Sequence, residues 1–144
     1  MKHYTKILVA LELSNGNDAV LLSKAQEFAA EGTELYLIHG VEHMSSYGAA
    51  YGISAGIDVE EVLVDESRKS LSKIAEQFNV PPNRQIVKVG PAKFLILEEA
   101  EKANIDLVIV GSHGRHGVRL LLGSTANAVL HGAKCDVLAV RVYD

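Results

Sequence analysis

The chain has 144 residues, 48% of them hydrophobic, and a formal net charge of −4. This length fits one domain that buries its own core without disulfides or metals. Acidic and basic residues are interspersed without a Lys/Arg block, which excludes the usual nucleic-acid-binding pattern. No apolar run approaches the about 20 residues of a membrane-spanning helix, and the single cysteine, Cys135, favours a cytoplasmic protein.

The first predicted element is a β-strand over residues 7–11. A basic and then apolar N-terminus also fits a signal peptide, but the apolar run is short and Glu12 ends it, which favours the strand. Turn residues at 15–18 lead into a helix whose apolar positions include Leu21, Leu22 and Ala25. Gly32 ends this helix before a second strand at 35–39.

The middle of the chain opens on an aperiodic segment at 40–57, which is long for a strand–helix connection and is predicted to be a functional flap or partly disordered. An amphipathic helix follows at 59–78 and is stopped by Pro81 and Pro82. The third strand is predicted at 85–89, with a helix ending near Ala103, and the last two strands at 107–110 and 137–142.

This alternation of strands and helices predicts one α/β domain over residues 1–144. The expected architecture is doubly wound: a five-stranded parallel sheet in the order 3-2-1-4-5 with helices on both faces. Its binding crevice would lie between the carboxyl ends of strands one and four.

The strongest functional signal is Gly-Ser-His-Gly at positions 111–114, followed by Gly123, Ser124 and Thr125. A glycine turn after a strand and a Ser/Thr start to a helix offer N–H groups and a positive dipole end to a phosphate. Gly111 and Gly114 also fit simple turn positions, and Ser124 fits a helix N-cap. Both alternatives stay open.

Other polar residues carry weaker signals. Arg115 and Arg119 fit phosphate partners or solvated loop residues equally well. The His39/His43 and His113/His116 pairs lack the further ligands of a metal site, so no metal site is predicted. Cys135 is expected to be a half-buried apolar residue rather than a redox sensor with a lowered pKa.

Taken in order, these motifs resemble the universal stress protein family across essentially the whole chain. The segments that carry the resemblance are residues 6–14, 37–42, 90–92, 106–115, 122–124 and 135–141. The resemblance implies a small, Rossmann-like doubly wound domain, a homodimer, a role in the stress response, and ATP held by a Gly-x2-Gly-x9-Gly-(Ser/Thr) signature.

Carried over to this chain, the resemblance places adenine and ribose near the end of strand one and after strand two, and phosphates at the glycines. Two features depart from the family pattern: eight residues instead of nine separate Gly114 from Gly123, and Glu12 stands where aspartate is usual. The implied nucleotide-binding residues are Ala10, Leu11, Glu12, Val41, Val110, Gly111, Gly114, Arg115, Gly123, Ser124 and Thr125.

The leading prediction is therefore a cytoplasmic stress-response protein that binds ATP, with Mg²⁺ arriving on the nucleotide. Strand five, from Val137 to Val142, is apolar at the sheet edge and predicts a homodimer through that strand, together with an unidentified protein partner. No lysine-containing phosphate loop or nucleophile elbow is present, so no multiple-turnover enzyme is expected, although slow hydrolysis or phosphotransfer stays open. The alternative is a dimeric interaction module of the same fold that binds no nucleotide.

Overall fold

The computed structural model describes residues 3–13, 16–43, 58–114 and 123–143. Strands and helices alternate through these ranges, with one short 3₁₀ turn, Pro82–Arg84, before the third strand. The elements are β1 (Tyr4–Ala10), α1 (Asn17–Phe28), β2 (Ala29–Val41), α2 (Val59–Gln77), β3 (Gln85–Val89), α3 (Ala92–Lys102), β4 (Leu107–Gly114), α4 (Ser124–Gly132) and β5 (Asp136–Tyr143).

The five strands form one parallel sheet in the order β3-β2-β1-β4-β5. This confirms the predicted order. The chain starts in the middle of the sheet, winds outward through β2 and β3, and returns to the other side of β1 through β4 and β5. The change of direction lies between β1 and β4, where Val9 pairs with Ile109. In such sheets ligands bind beyond the carboxyl ends of the strands at this position.

Two apolar layers cover the sheet, one on each face. Leu22 and Ala25 of α1 and Leu71 of α2 pack against one face. Ile96 of α3 and Val129 of α4 pack against the other. Strand residues alternate between the layers, as the side-chain period of two requires. The helices on both faces confirm the doubly wound architecture.

Strand boundaries differ from prediction at two places. β2 begins at Ala29, six residues earlier than expected, and its register with β1 shifts between Tyr4 and Lys6. Gly32, at a φ of 89°, lies in this irregularity, and the Thr33 hydroxyl donates to the Tyr4 carbonyl at 2.7 Å. β4 continues through Gly114, four residues beyond its predicted end at Val110, because β5 pairs with it as far as Tyr143.

Both ends of α2 are formed by residue types that are common at helix ends. Asp58 caps its start by accepting the Glu61 amide at 3.1 Å, and Asn79 adopts a left-handed φ of 57° just past its end. Among the helices within the described ranges, none combines the length and apolar character needed to cross a bilayer. Most of the predicted flap, residues 44–57, lies outside the described residues.

Candidate functional site

The candidate site lies at the carboxyl edge of the sheet, where β1, β2 and β4 end and α4 begins. Parallel strands present their carboxyl ends at one edge, and each following helix starts there. Val110 and Ala126 belong to the same apolar cluster, which ties the first turn of α4 to the end of β4. The fold therefore brings together the predicted residues of β1, β2, β4 and α4.

The end of β1 is held by backbone and side-chain contacts to β2. Ala10 is the last residue of the strand, and Leu11 is buried beyond it. The Leu11 amide donates to the Ile38 carbonyl at 2.9 Å. The Leu11 carbonyl lies 2.8 Å from Nδ1 of His39, a hydrogen bond that requires the proton on Nδ1. Glu12 follows with an exposed side chain at the mouth of the crevice.

Asp18, in the first turn of α1, reaches back to this loop. Its carboxylate accepts the Glu12 amide at 3.0 Å and the Leu13 amide at 2.9 Å. The side chain is buried, with only 6% of the residue exposed. Burial raises the pKa of Asp18, and the two amide hydrogen bonds offset only part of that rise. Leu13 adopts a left-handed φ of 61°, which turns the chain so that both amides face one carboxylate.

The end of β2 places Val41 beside the start of the β3–α3 connection. Val41 is buried, and its carbonyl accepts the Gly90 amide at 2.8 Å. Gly40, the residue before Val41, packs closely against α3. A Cβ on Gly40 would lie only 3.2 Å from the Ala92 Cα. This close contact brings the start of α3 against the end of β2, and Val41 is the last residue of that strand rather than part of a loop.

The glycines of β4 lie in a strand rather than a turn, which corrects the expectation of a glycine turn directly after Val110. Gly111 pairs with Val140 and Gly114 with Tyr143. A Cβ on Gly111 would lie 3.4 Å from a Val142 methyl, an ordinary contact. The sequence signal was misread because short glycine-containing runs extend a strand when a neighbouring strand supplies the pairing.

The start of α4 carries the second half of the predicted phosphate motif. Gly123 precedes the helix with φ 73° and ψ 146°, a conformation that disfavours any side chain. It provides no side-chain cap, and its carbonyl accepts the Asn127 amide at 3.0 Å. Ser124 is exposed, and Thr125 is half-buried in the first turn. Arg115 lies outside the described residues.

The remaining predictions concern metals and the thiol. Across the ranges that the structure describes, no group of three His, Cys, Asp or Glu residues is placed to hold a metal ion. Cys135 is half-buried against the α3–α4 layer. Burial, followed by the nearby Asp136 carboxylate, raises the pKa of its thiol, which is opposite to the shift a redox sensor needs.

Sequence reasoning missed Asp18 and assigned no binding role to His39. An aspartate at a helix start is a signal for a backbone cap. Asp18 instead accepts the Glu12 and Leu13 amides, and this depends on the left-handed turn at Leu13. Leucine is not a residue type that predicts such a turn. His39 was considered only as a metal ligand, whereas its ring binds the Leu11 carbonyl.

Comparison with known proteins decides the family. Residues 3–141 match the universal stress protein family. The chain is also 63% identical to universal stress protein A homolog 2 of Coxiella burnetii over 143 residues, covering 99% of this chain and 98% of the relative. The chain belongs to the universal stress protein family. The family expected from the sequence motifs is thus confirmed.

Solved structures agree with this universal stress protein fold. The structure of hypothetical protein MJ0577 superposes with a TM-score of 0.78 at 23% identity, covering 99% of each chain. A universal stress protein in complex with cAMP has a TM-score of 0.58 at 21% identity, covering 96% of this chain and 98% of that one. An Arabidopsis thaliana family protein with AMP bound has a TM-score of 0.60 at 14% identity, covering 95% of this chain and 91% of that one. At these identities the likeness concerns the fold.

Proposed function

We propose that this universal stress protein acts in the stress response by binding an adenine nucleotide at the carboxyl edge of β1, β2 and β4. The observation that carries the proposal is the start of α4, where Gly123 leaves the helix without a side-chain cap. The first N–H groups of a helix and its positive dipole end form a site for anions. Family members of the same fold with cAMP and AMP bound support this ligand class.

The base and ribose side of the proposed site lies across the crevice from α4. Val41 is buried at the end of β2, and Glu12 presents an exposed carboxylate beyond β1. A carboxylate is a hydrogen-bond acceptor suited to ribose hydroxyls. Glu12 is one methylene longer than the aspartate of the family pattern, so its oxygens reach further from the backbone.

On the phosphate side of the proposed site, we expect backbone N–H groups, rather than a lysine side chain, to bind the phosphates. Gly114 is the last residue of β4 and Gly123 directly precedes α4, so the glycines on either side of the shortened connection stand at the ends of these two elements. ATP with Mg²⁺ remains the predicted ligand. With Mg²⁺ bridging phosphate oxygens, the ion needs few protein ligands.

Turnover is not part of the proposal. A phosphoryl-transfer enzyme needs a positioned water or nucleophile and cationic groups on the leaving phosphates. Glu12 is an exposed carboxylate beyond β1, and we propose that it binds the nucleotide without activating water. We expect a kcat far below about 1 s⁻¹, the lower end of the usual enzyme range, in a coupled ATPase assay. Turnover at that rate by the purified protein, lost in Glu12→Gln, would refute this part of the proposal.

Isothermal titration of nucleotide-stripped protein with AMP, cAMP, ATP and Mg-ATP tests the binding proposal. We expect saturation near one nucleotide per chain and loss of binding in Gly114→Asp, where a carboxylate would repel the phosphates. Gly32→Asp is the matched control because it adds the same charge at the opposite edge of the sheet, beside Tyr4. Absence of binding by folded wild-type protein would reject the proposal in favour of an interaction module without nucleotide.

A homodimer through β5 forms the second part of the proposal. β5 is an edge strand of the sheet, and an open strand edge can pair with a second copy. Its apolar faces have another explanation, since Val140 and Val137 pack against the two helical layers. The feature that favours a homodimer is therefore the open hydrogen-bonding edge of β5. Analytical ultracentrifugation should give twice the chain mass of 15.5 kDa, and the mass of one chain at micromolar concentration would contradict it.

Two further predictions accompany the function. The cytoplasmic location follows from the single cysteine and stays a prediction. A protein partner that distinguishes the nucleotide-bound from the nucleotide-free protein also stays a prediction. A nucleotide-binding protein without turnover acts through its contacts with other proteins.

A further inference from the structure

We infer that Asp18 is a positioning residue that holds the loop after β1 in the conformation competent for nucleotide binding. This inference rests on the proposed function, because the loop carries Leu11 and Glu12 of the proposed site. Asp18 itself lies behind the loop, in the first turn of α1, and its carboxylate accepts the Glu12 and Leu13 amides at 3.0 and 2.9 Å.

The geometry makes Asp18 the link between this loop and α1. Leu13 adopts a left-handed φ of 61°, a conformation that is strained for a residue with a Cβ unless surrounding contacts hold it. The Asp18 carboxylate bridges two successive amides across that turn. The carboxylate therefore ties the strained turn and the backbone of Glu12 to the first turn of α1.

The surroundings of Asp18 show why a carboxylate is needed there. Leu13, Leu22 and Ile74 line a cleft of about 280 Å³ beside the carboxylate, between α1 and α2. Ser70 and Gln77 also line this cleft, but Asp18 itself is buried, and amide donors at a buried site bind an ionised acceptor more strongly than a neutral one. An asparagine at this position would keep one acceptor oxygen and turn an NH₂ group toward the second amide, leaving a donor facing a donor.

The opposite end of β1 supplies a matched comparison. Asp106 accepts the Thr5 and Lys6 amides, both at 2.8 Å, and so bridges two successive amides at the amino end of the same strand. Asp106→Asn removes an equivalent hydrogen bond from the fold, but it does so at the edge of the sheet away from the site. The pair Asp18→Asn and Asp106→Asn therefore separates positioning of the site from general stabilisation of β1.

Titration with AMP of the wild type and both variants tests the inference. We expect Asp18→Asn to weaken AMP binding about tenfold or more, because the competent loop becomes one of several populated conformers. Asp106→Asn should bind AMP as the wild type does. Hydrogen exchange should show the Glu12 and Leu13 amides losing protection in Asp18→Asn, with the core of β1 protected in all three proteins, which confirms that the variants are folded.

The pH profile provides a readout that a purely structural role would not move. As pH falls, protonation of Asp18 removes an acceptor from the two amides, so affinity should fall more steeply in the wild type and Asp106→Asn than in Asp18→Asn. Glu12 and His39 are the titratable groups with electrostatic influence on Asp18, and both are present in all three proteins. The titration of the AMP phosphate is likewise common to them and cancels in the comparison.

The outcomes are distinct. If the wild type binds AMP and folded Asp18→Asn binds it equally well, the inference is wrong and the proposed function stands. If the wild type binds none of the nucleotides tested, the proposed function fails and the inference falls with it. Weaker binding confined to Asp18→Asn, with a flattened pH profile, supports the inference.

Discussion

Replacing Gly123 with alanine tests the local geometry at the start of α4. Gly123 has φ 73° and ψ 146°, a region of backbone space that is essentially restricted to glycine. An alanine there must either bear the strain or shift to a negative φ. A shift would redirect the first turn of a helix of only nine residues, Ser124–Gly132, and with it the N–H groups proposed to hold phosphate.

The expected magnitudes follow from the strain and from the lost contacts. Strain of this kind costs about 1–3 kcal/mol. For a domain of this size a loss of about 2 kcal/mol lowers the Tm by roughly 4–8 °C. Losing one hydrogen bond between an N–H group and a charged phosphate costs about 1.5–3 kcal/mol, which corresponds to about a 10- to 150-fold rise in Kd for AMP.

Thermal denaturation and AMP titration of Gly123→Ala measure both quantities. Gly32→Ala is the control, because Gly32 also has a positive φ, 89°, and a Cβ there would meet no heavy atom within 4 Å. Gly32 lies near the amino end of β1, so its alanine variant should lose stability but keep its affinity for AMP. Wild-type affinity in a folded Gly123→Ala protein would refute the assignment of the phosphate site to the start of α4.

Two other predictions concern ionisable groups away from the site. Burial raises the pKa of Asp106, but hydrogen bonds from Thr5 and Lys6 outweigh this and leave it below its ordinary value. Its contribution to stability is therefore present above the unfolded pKa of about 3.9 and is lost as pH falls through the lower folded pKa. Urea denaturation of Asp106→Asn should show a loss of about 1–3 kcal/mol at pH 7 that shrinks below about pH 4, and a constant difference at all pH values would contradict the assignment. Because burial raises the pKa of the Cys135 thiol, we expect it to react with a disulfide reagent at least about tenfold more slowly in the folded protein than in urea; equal rates would show an accessible, activated thiol.

The fold was predictable to the level of strand order. The apolar runs at 7–11 and 107–110 are buried on both faces in the structure, as continuous apolar runs of parallel strands predict. Helical periodicity located the helices, and Pro81 and Pro82 marked the end of α2, whereas Gly32, the predicted end of α1, lies inside β2. The order 3-2-1-4-5 was inferred from the usual arrangement of doubly wound sheets, which start in the middle and wind both ways. Motifs spread along the whole chain also predicted the family, which the comparisons confirm.

The site was predictable only in part. The residues at the ends of β1, β2 and β4 could be named because parallel strands end at one edge. The conformation of Gly111 and Gly114 could not, since a glycine run serves equally well in a turn and in a strand. Pairing with β5 decides between them, and that pairing joins residues more than twenty positions apart in the chain.

The sequence by itself therefore determined the alternation of elements, the two apolar layers and the edge of the sheet at which the proposed site residues lie, because these depend on local periodicity and on general rules of chain connection. Tertiary structure alone decided the state of the loop after β1. Asp18 binds the amides of Glu12 and Leu13, and His39 binds the Leu11 carbonyl, only once α1 and β2 have packed against β1. Such contacts depend on angles and distances between elements, which residue spacing does not encode.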